Sequence, residues 1–313
     1  MADLGIAVEV EGRVLTLTNL DKVLFPATGT TKRELCRYYT QIAPTMLPHL
    51  KDRPVTFRRA PDGTGGKAFF QKHRPPGSPA WVPTIDVDPS GPAGRSRRGG
   101  PDATRGNGAE RIPFAAVDSL PALLWAANLA AIELHVPMWR VDRRMVPKPP
   151  DLMVFDLDPG PRATMLDCCE VALLVRDELG GDGLTVLPKT SGSKGLQLYV
   201  AIGDRPAIDS LHYARELARH LERLHPATVV SNMRRDLRTG KVLIDWSQNH
   251  PAKTTVAPYS LRVRPEPSVS TPVVWDEVAA ALRSGDTGLL SFTPDDVLDR
   301  VRAQGDLFQP LAG

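Results

Sequence analysis

A chain of 313 residues, 42% hydrophobic and 24% charged, has the composition of a folded protein and the length for one large domain or two fused lobes. Its formal net charge of +3 is too mild to establish a nucleic-acid partner by itself. Cys36, Cys168 and Cys169 are odd in number and lack metal-ligand spacing, which excludes a disulfide framework and a zinc site; with no signal sequence and no long apolar run, the chain reads as cytoplasmic, without a membrane partner.

Residues 7 to 17 alternate around Glu11-Gly12 in the manner of a hairpin, and a loop follows from Asn19 to Lys22. Thr31-Lys32-Arg33-Glu34 matches a capping box, in which the Thr hydroxyl and the Glu carboxylate each satisfy an orphan backbone donor, so a helix is expected from there towards Leu47. Short strands are expected at 55–59 and 68–71. A second helix start lies at Asp118 or Ser119 with Pro121 behind it, carrying Leu120, Leu123, Leu124 and Ala127 on one face. Between them, 89–110 is rich in Gly, Pro, Ser and Arg, including Arg95, Arg97, Arg98 and Arg105. It buries too little apolar surface to offset its ordering entropy and reads as a flexible basic insertion.

From Asp151 the pattern sharpens. A strand at 152–158 precedes an apolar-faced helix at about 164–179, which Gly180-Gly181 is expected to end in a left-handed cap. Strands at 184–189 and 196–202 flank Thr190-Ser191-Gly192-Ser193-Lys194-Gly195. Leu211, Ala214, Leu217, Leu221 and Leu224 then recur at helical spacing behind Asp209, and a last strand spans 241–246. This β-α-β-β-α-β order is the ferredoxin-like arrangement shared by RNA-recognition modules. The expected chain is therefore α+β, with an N-terminal α/β lobe over 1–150 and a C-terminal RRM-like lobe over 151–313.

That order sets the first and last strands side by side, so Asp245 should neighbour Asp156 and Asp158. Met153, Phe155 and Leu157 turn one way along the first strand and the two acids the other; Val242, Ile244 and Trp246 do the same for Asp245. Three carboxylates on one open face call for a shared hard cation, Mg²⁺ or Mn²⁺. The Gly-rich turn at 191–195 lacks P-loop spacing but offers backbone N–H groups and Lys194 to phosphate. Arg262 and Arg264, two apart in an expected strand, can face one oligophosphate. Acids for metal and bases for phosphate describe phosphoryl or nucleotidyl transfer by a two-metal route. His135, within Glu133-Leu134-His135-Val136, reads locally as a packed histidine.

Phe155-Asp156-Leu157-Asp158-Pro159-Gly160, Lys189-Thr190-Ser191-Gly192-Ser193-Lys194-Gly195-Leu196, and Val242-Leu243-Ile244-Asp245-Trp246-Ser247-Gln248-Asn249 through Tyr259-Ser260-Leu261-Arg262 closely resemble the polymerase domain of bacterial DNA ligase D, in the archaeo-eukaryotic primase superfamily. The resemblance runs from about Val8 to about Arg300. It implies a primase-polymerase fold and a metal-dependent, DNA-templated nucleotidyltransferase that extends 3′-hydroxyl ends at 5′-phosphorylated gaps or breaks, prefers ribonucleotides, and serves end joining or gap repair.

By the same resemblance, Asp156, Asp158 and Asp245 hold two divalent ions, Mn²⁺ or Mg²⁺. His135, Ser191, Lys194, Gln248, Arg262 and Arg264 contact the NTP or dNTP. Asn19, Lys22 and Lys32 grip a DNA 5′-phosphate, Lys32 in the first turn of its capped helix where the dipole favours an anion. Phe69 and Phe70, which unaided would pass as core, stack on the template, and Arg238 lies near template and active site. The resemblance also implies nucleoid association, with Ku and a separate DNA ligase as partners. With no room for ligase or nuclease modules, the chain reads as a stand-alone or excised polymerase domain.

Two departures stand out. Where the motif usually continues to His, this chain has Gln197, on the same open face as the acids and expected to face the triphosphate; it can donate a hydrogen bond but cannot become cationic. The other is the 89–110 insertion. Two rival readings follow from the residues: a haloacid-dehalogenase-type phosphatase, which needs a parallel core, and a DNA-end-binding module with weak or absent catalysis.

Overall fold

The computed structural model describes residues 5–87, 111–203 and 208–312, so the basic insertion expected at 89–110 lies outside the described residues. The chain divides into two compact units. One comprises Met1–Pro149 with Thr254–Ala257 and Val263–Pro267, and the other Pro150–Lys253 with Pro258–Arg262 and Ser268–Gly313.

The first unit opens on the hairpin β1 (Ile6–Val10) and β2 (Arg13–Leu17), closed by Glu11 and Gly12 at φ 48° and 72°, the left-handed pair that matches strand twist. β3 (Val23–Phe25) and β4 (Thr30–Thr31) lead into α1 (Lys32–Leu50), whose capping box of Thr31 and Glu34 is formed as expected. The helix continues past Leu47 with Pro44 and Pro48 inside it. Burial of Leu35, Tyr39, Ile42, Met46 and Leu50, at about 1.5–3 kcal/mol for each large apolar side chain, offsets the lost backbone bonds. β5 (Thr56–Arg59) and β6 (Phe69–Gln71) follow, then the ribbon β7 (Thr84–Val87) with β8 (Ile112–Ala115), and α2 (Leu120–Asn128). β9 (Ala131–Val136) is buried throughout and sits between β5 and the returning segment Thr255–Val256, while β6 forms the opposite edge. The ribbon β10 (Trp139–Val141) and β11 (Pro147–Pro150) completes the unit.

The second unit contains β12 (Leu152–Pro159), α3 (Met165–Gly181), β13 (Val186–Thr190), β14 (Leu196–Ala201), α4 (Ser210–Leu224), β15 (Val229–Val230) and β16 (Val242–Asp245). The sheet order is β13-β14-β12-β16-β15, so the first and last strands of the expected pattern do lie side by side. Met153, Phe155, Leu157 and Ile244 are fully buried in one cluster with Val171, Ala172 and Val175 of α3 and Ala214 and Leu221 of α4. That cluster, joined by Val278 and Ala281 of α5 (Trp275–Ser284), is the core; α6 (Pro294–Gln304) follows. β12 pairs antiparallel with both β14 and β16, and the one parallel pairing in this sheet is the two-residue β15–β16 contact. The parallel core required by a haloacid-dehalogenase-type phosphatase is therefore contradicted.

Three local expectations are corrected. α3 runs through Gly180-Gly181, and the left-handed residue is Gly183 at φ 71°. Gly183 N–H bonds to Gly180 O and Leu184 N–H to Leu179 O, a Schellman arrangement that brings the buried Leu179 and Leu184 together. Leu224, in the last turn of α4, is exposed rather than in the apolar stripe. Arg262 and Arg264 are not on a strand: Leu261 makes a single bridge to Val269 and the chain then leaves regular structure.

Candidate active site

Asp156 lies opposite Asp245 across β12 and β16, and Asp158 follows two residues on, along the same face. One carboxylate oxygen from each of the three acids lies within 4.8 Å of the others. Burial, then the Asp158 charge, pushes Asp156 up to about 7, with Asp245 adding to the rise and the Gln197 hydrogen bond and Lys189 opposing it. Burial and Asp245 also raise Asp158, against Arg238 and Arg262. An all-oxygen donor set in which Asp156 and Asp158 resist ionising fits a hard divalent cation, which would relieve the repulsion that raises these two.

Each of the two facing acids is held by donors. Gln197, opposite Asp156 on β14, donates from Nε2 to Asp156 Oδ1 at 3.0 Å and accepts at Oε1 from Lys189 Nζ at 2.5 Å. Asp245 Oδ1 accepts from the Ser247 hydroxyl at 2.5 Å and the Ser247 N–H at 3.0 Å, and its Oδ2 from Gln248 Nε2 at 2.9 Å. Lys253 Nζ in turn donates to Ser247 Oγ. Asp158 is exposed.

The turn after β13 is closed on itself. The N–H groups of Ser193 and Gly195 both donate to Ser191 Oγ at 3.2 Å, so these two donors are already engaged, and Lys194 stands exposed. Gly192, at φ 66°, has no room for a Cβ, which would meet Val269 C at 2.7 Å and Arg262 Cγ at 2.8 Å. Arg262 is tied to this turn through Nη1 to Ser191 O, whereas Arg238 donates from Nη2 to Met233 O, outside the turn.

The remaining candidates belong to the first unit. His135 is buried, bonded through Nε2 to Glu133 Oε2 at 2.7 Å, with its ring edge-on to Phe70 at 5.3 Å between centroids. Glu133 also accepts from Arg58 Nη1 at 2.8 Å and Val263 N–H at 2.7 Å. Phe69 and Phe70 are 40% and 60% exposed rather than core, with Arg59 and Arg58 over their respective rings. Asn19 is exposed at φ 51°. Lys22 pairs with Asp62 at 3.1 Å, Lys32 is buried and donates to Thr18 O at 2.7 Å, and Arg264 is half-buried.

Lys189, Ser247 and Lys253 were not singled out by sequence reasoning. A signal for Lys189 was present: a hairpin closing symmetrically about Ser193 puts residue 189 opposite 197, as the register has it. No comparable pattern pointed to Ser247 or Lys253, whose link depends on a short 3₁₀ turn after β16.

Residues 31–308 match the family model described as LigD, primase-polymerase domain. The chain belongs to the LigD primase-polymerase domain family. Such a domain is a DNA-directed nucleotidyltransferase, which gives the enzyme class. Among curated proteins it is similar to the multifunctional non-homologous end joining protein LigD of Mycolicibacterium smegmatis, 42% identical over 94% of this chain and 36% of that protein. It is also similar to the bifunctional non-homologous end joining protein LigD of Bacillus subtilis, 29% identical over 93% of this chain and 43% of that one. Among solved structures it is similar to the polymerase domain from Mycobacterium tuberculosis ligase D in complex with DNA, with TM-score 0.81 and 40% identity over 95% of this chain and 98% of that one. The chain spans a little over a third of the length of the mycobacterial relatives. No helix among its described residues is long and apolar enough to cross a membrane.

Proposed function

We propose that this LigD-type domain extends the 3′-hydroxyl of DNA at a 5′-phosphorylated gap or break, in end joining or gap repair, and favours ribonucleotides. The observation that carries the reading is the convergence of Asp156, Asp158 and Asp245, with oxygens within 4.8 Å of one another on one sheet face. Two divalent ions, Mn²⁺ or Mg²⁺, are the proposed occupants; when bound, they supply charge stabilisation for the attacking and leaving oxygens of an in-line displacement. Asp156, Asp158 and Asp245 hold the charge that recruits them. Ser191, Lys194, Gln248, Arg262, Arg264 and His135 are the proposed nucleotide contacts, offering cations and hydrogen-bond donors to a triphosphate.

The proposed organisation is an N-terminal DNA-binding lobe and an RRM-like catalytic lobe. Asn19, Lys22 and Lys32 take the 5′-phosphate, while Phe69, Phe70 and Arg238 take the template strand, the aromatic rings by stacking on bases. Ku and a separate ligase are proposed partners, and association with the nucleoid follows from the DNA substrate. The test is gel-resolved extension of a primer on 5′-phosphorylated gapped DNA, with ribo- and deoxyribonucleotides and either Mn²⁺ or Mg²⁺. Ribonucleotide addition dependent on a divalent ion is expected. Binding without extension under either metal would replace this reading with that of a DNA-end-binding module.

A further inference from the structure

Lys189, Gln197 and Ser270 form a polar line through the buried part of the catalytic unit. Lys189 and Ser270 are fully buried, and Gln197 is 4% exposed. Lys189 Nζ donates to Gln197 Oε1 and to Ser270 Oγ, and the Ser270 hydroxyl donates onward to Thr190 O at 2.9 Å. Lys189 Nζ also lies 5.6 Å from the centroid of the Tyr199 ring. A carboxylate only accepts, so the amide nitrogen of Gln197 faces Asp156 and its oxygen is left to accept from Lys189 Nζ. The carboxamide is thus held in one of its two orientations, with an N–H fixed on Asp156 Oδ1 at 3.0 Å.

We infer that Gln197, oriented by Lys189, is a positioning residue that fixes the Asp156 carboxylate for cation binding, not a direct contact for the nucleotide. The inference rests on the reading of Asp156, Asp158 and Asp245 as the metal centre. Burial makes every partner of this line expensive to leave unpaired, so the amide bond to Asp156 is an enforced one. Hydrogen bonds that orient a metal-binding carboxylate typically govern metal affinity by about 10–100-fold.

The experiment is a Mn²⁺ titration of the intact chain at pH 7.5, by calorimetry or electron paramagnetic resonance, without DNA or nucleotide, alongside nucleotide KM and kcat. Gln197→Met, which keeps bulk but loses the donor, should bind Mn²⁺ about 10-fold or more weaker. Gln197→His, which restores a ring N–H, should recover most of that loss. Thermal melts identify folded variants, and Gln197→Asn supplies a second donor-bearing variant with the amide withdrawn by one methylene, expected to bind as weakly as Gln197→Met. Unchanged Mn²⁺ affinity in Gln197→Met or Gln197→Asn with a raised nucleotide KM would overturn the inference and return Gln197 to the triphosphate. A wild type that binds no Mn²⁺, or binds it equally well after Asp158→Ala, removes the metal centre itself and the inference with it.

Discussion

Asp156 sits where burial and two neighbouring carboxylates all oppose its charge, and this has a measurable consequence for pH. Its folded-state value is pushed up to about 7, above that of a carboxyl in an unfolded chain. The folded, metal-free protein therefore holds a proton that the unfolded chain gives up. Stability falls as pH rises from about 4 to about 7, by on the order of 1–3 kcal/mol. Thermal melts in a chelator across that window should show the decline, Asp156→Asn should flatten it, and Mn²⁺ should restore stability most at the high-pH end. A midpoint that climbs steadily from pH 4 to 7 in the chelator would contradict the shift. Substitution of the other two acids separates chemistry from scaffolding. Asp158→Ala removes an exposed carboxylate and should abolish primer extension with DNA affinity retained, because a lost ligand costs transition-state charge stabilisation before binding. Asp245→Ala should also abolish extension, but it strands Ser247 and Gln248 and should lower the melting temperature too. Near-normal extension by Asp158→Ala would refute the site.

At the scale of elements, the acids depend on two glycines that let loops close onto β12. A Cβ on Gly195 would lie 2.0 Å from Leu157 O, and one on Gly160 1.9 Å from Arg238 O. Neither contact can be relieved by a side chain turning away, since backbone is struck in both cases. Gly195→Ala should therefore displace the 191–195 turn from β12, costing about 1–3 kcal/mol in denaturant unfolding and reducing extension beyond what that loss explains. A variant with wild-type unfolding and extension would show that the turn has slack. Most of this arrangement was legible in the sequence because strands impose period two: once the β-α-β-β-α-β order was read, Asp156, Asp158 and Asp245 had to share a face. The ends of elements were less legible. Gly180-Gly181 looked like the stop of α3, but the pairing of Leu179 with Leu184 moved the left-handed residue to Gly183. Arg262 and Arg264 have strand-like spacing, yet Arg262 ends a segment of the second unit and Val263 begins one of the first, so the alternation marks a crossing of the chain.

For the molecule as a whole, a net charge of +3 says little about where DNA is held, and the short returns Thr254–Ala257 and Val263–Pro267 have no compositional mark. What bears on the proposed 5′-phosphate site is the placement of Lys22 and Lys32 in the first unit. Lys22 is exposed and paired with Asp62, an arrangement worth at most about 1 kcal/mol, whereas Lys32 is buried and ties the start of α1 to Thr18 O. Replacing each should therefore give different results. Lys22→Ala should leave the melting temperature nearly unchanged and remove most of the preference for a 5′-phosphorylated gap over its 5′-hydroxyl counterpart. Lys32→Ala should remove the preference and also destabilise the fold, since Thr18 O loses its buried donor. The wild-type preference should shrink as salt rises, because phosphate contacts release counterions and exposed charges are screened. Fluorescence anisotropy with the two gapped DNAs at low and high salt measures both effects. Equal affinity for the two DNAs at low salt would take the 5′-phosphate away from Asn19, Lys22 and Lys32, while a preference that survives both substitutions would place the phosphate site elsewhere on the chain.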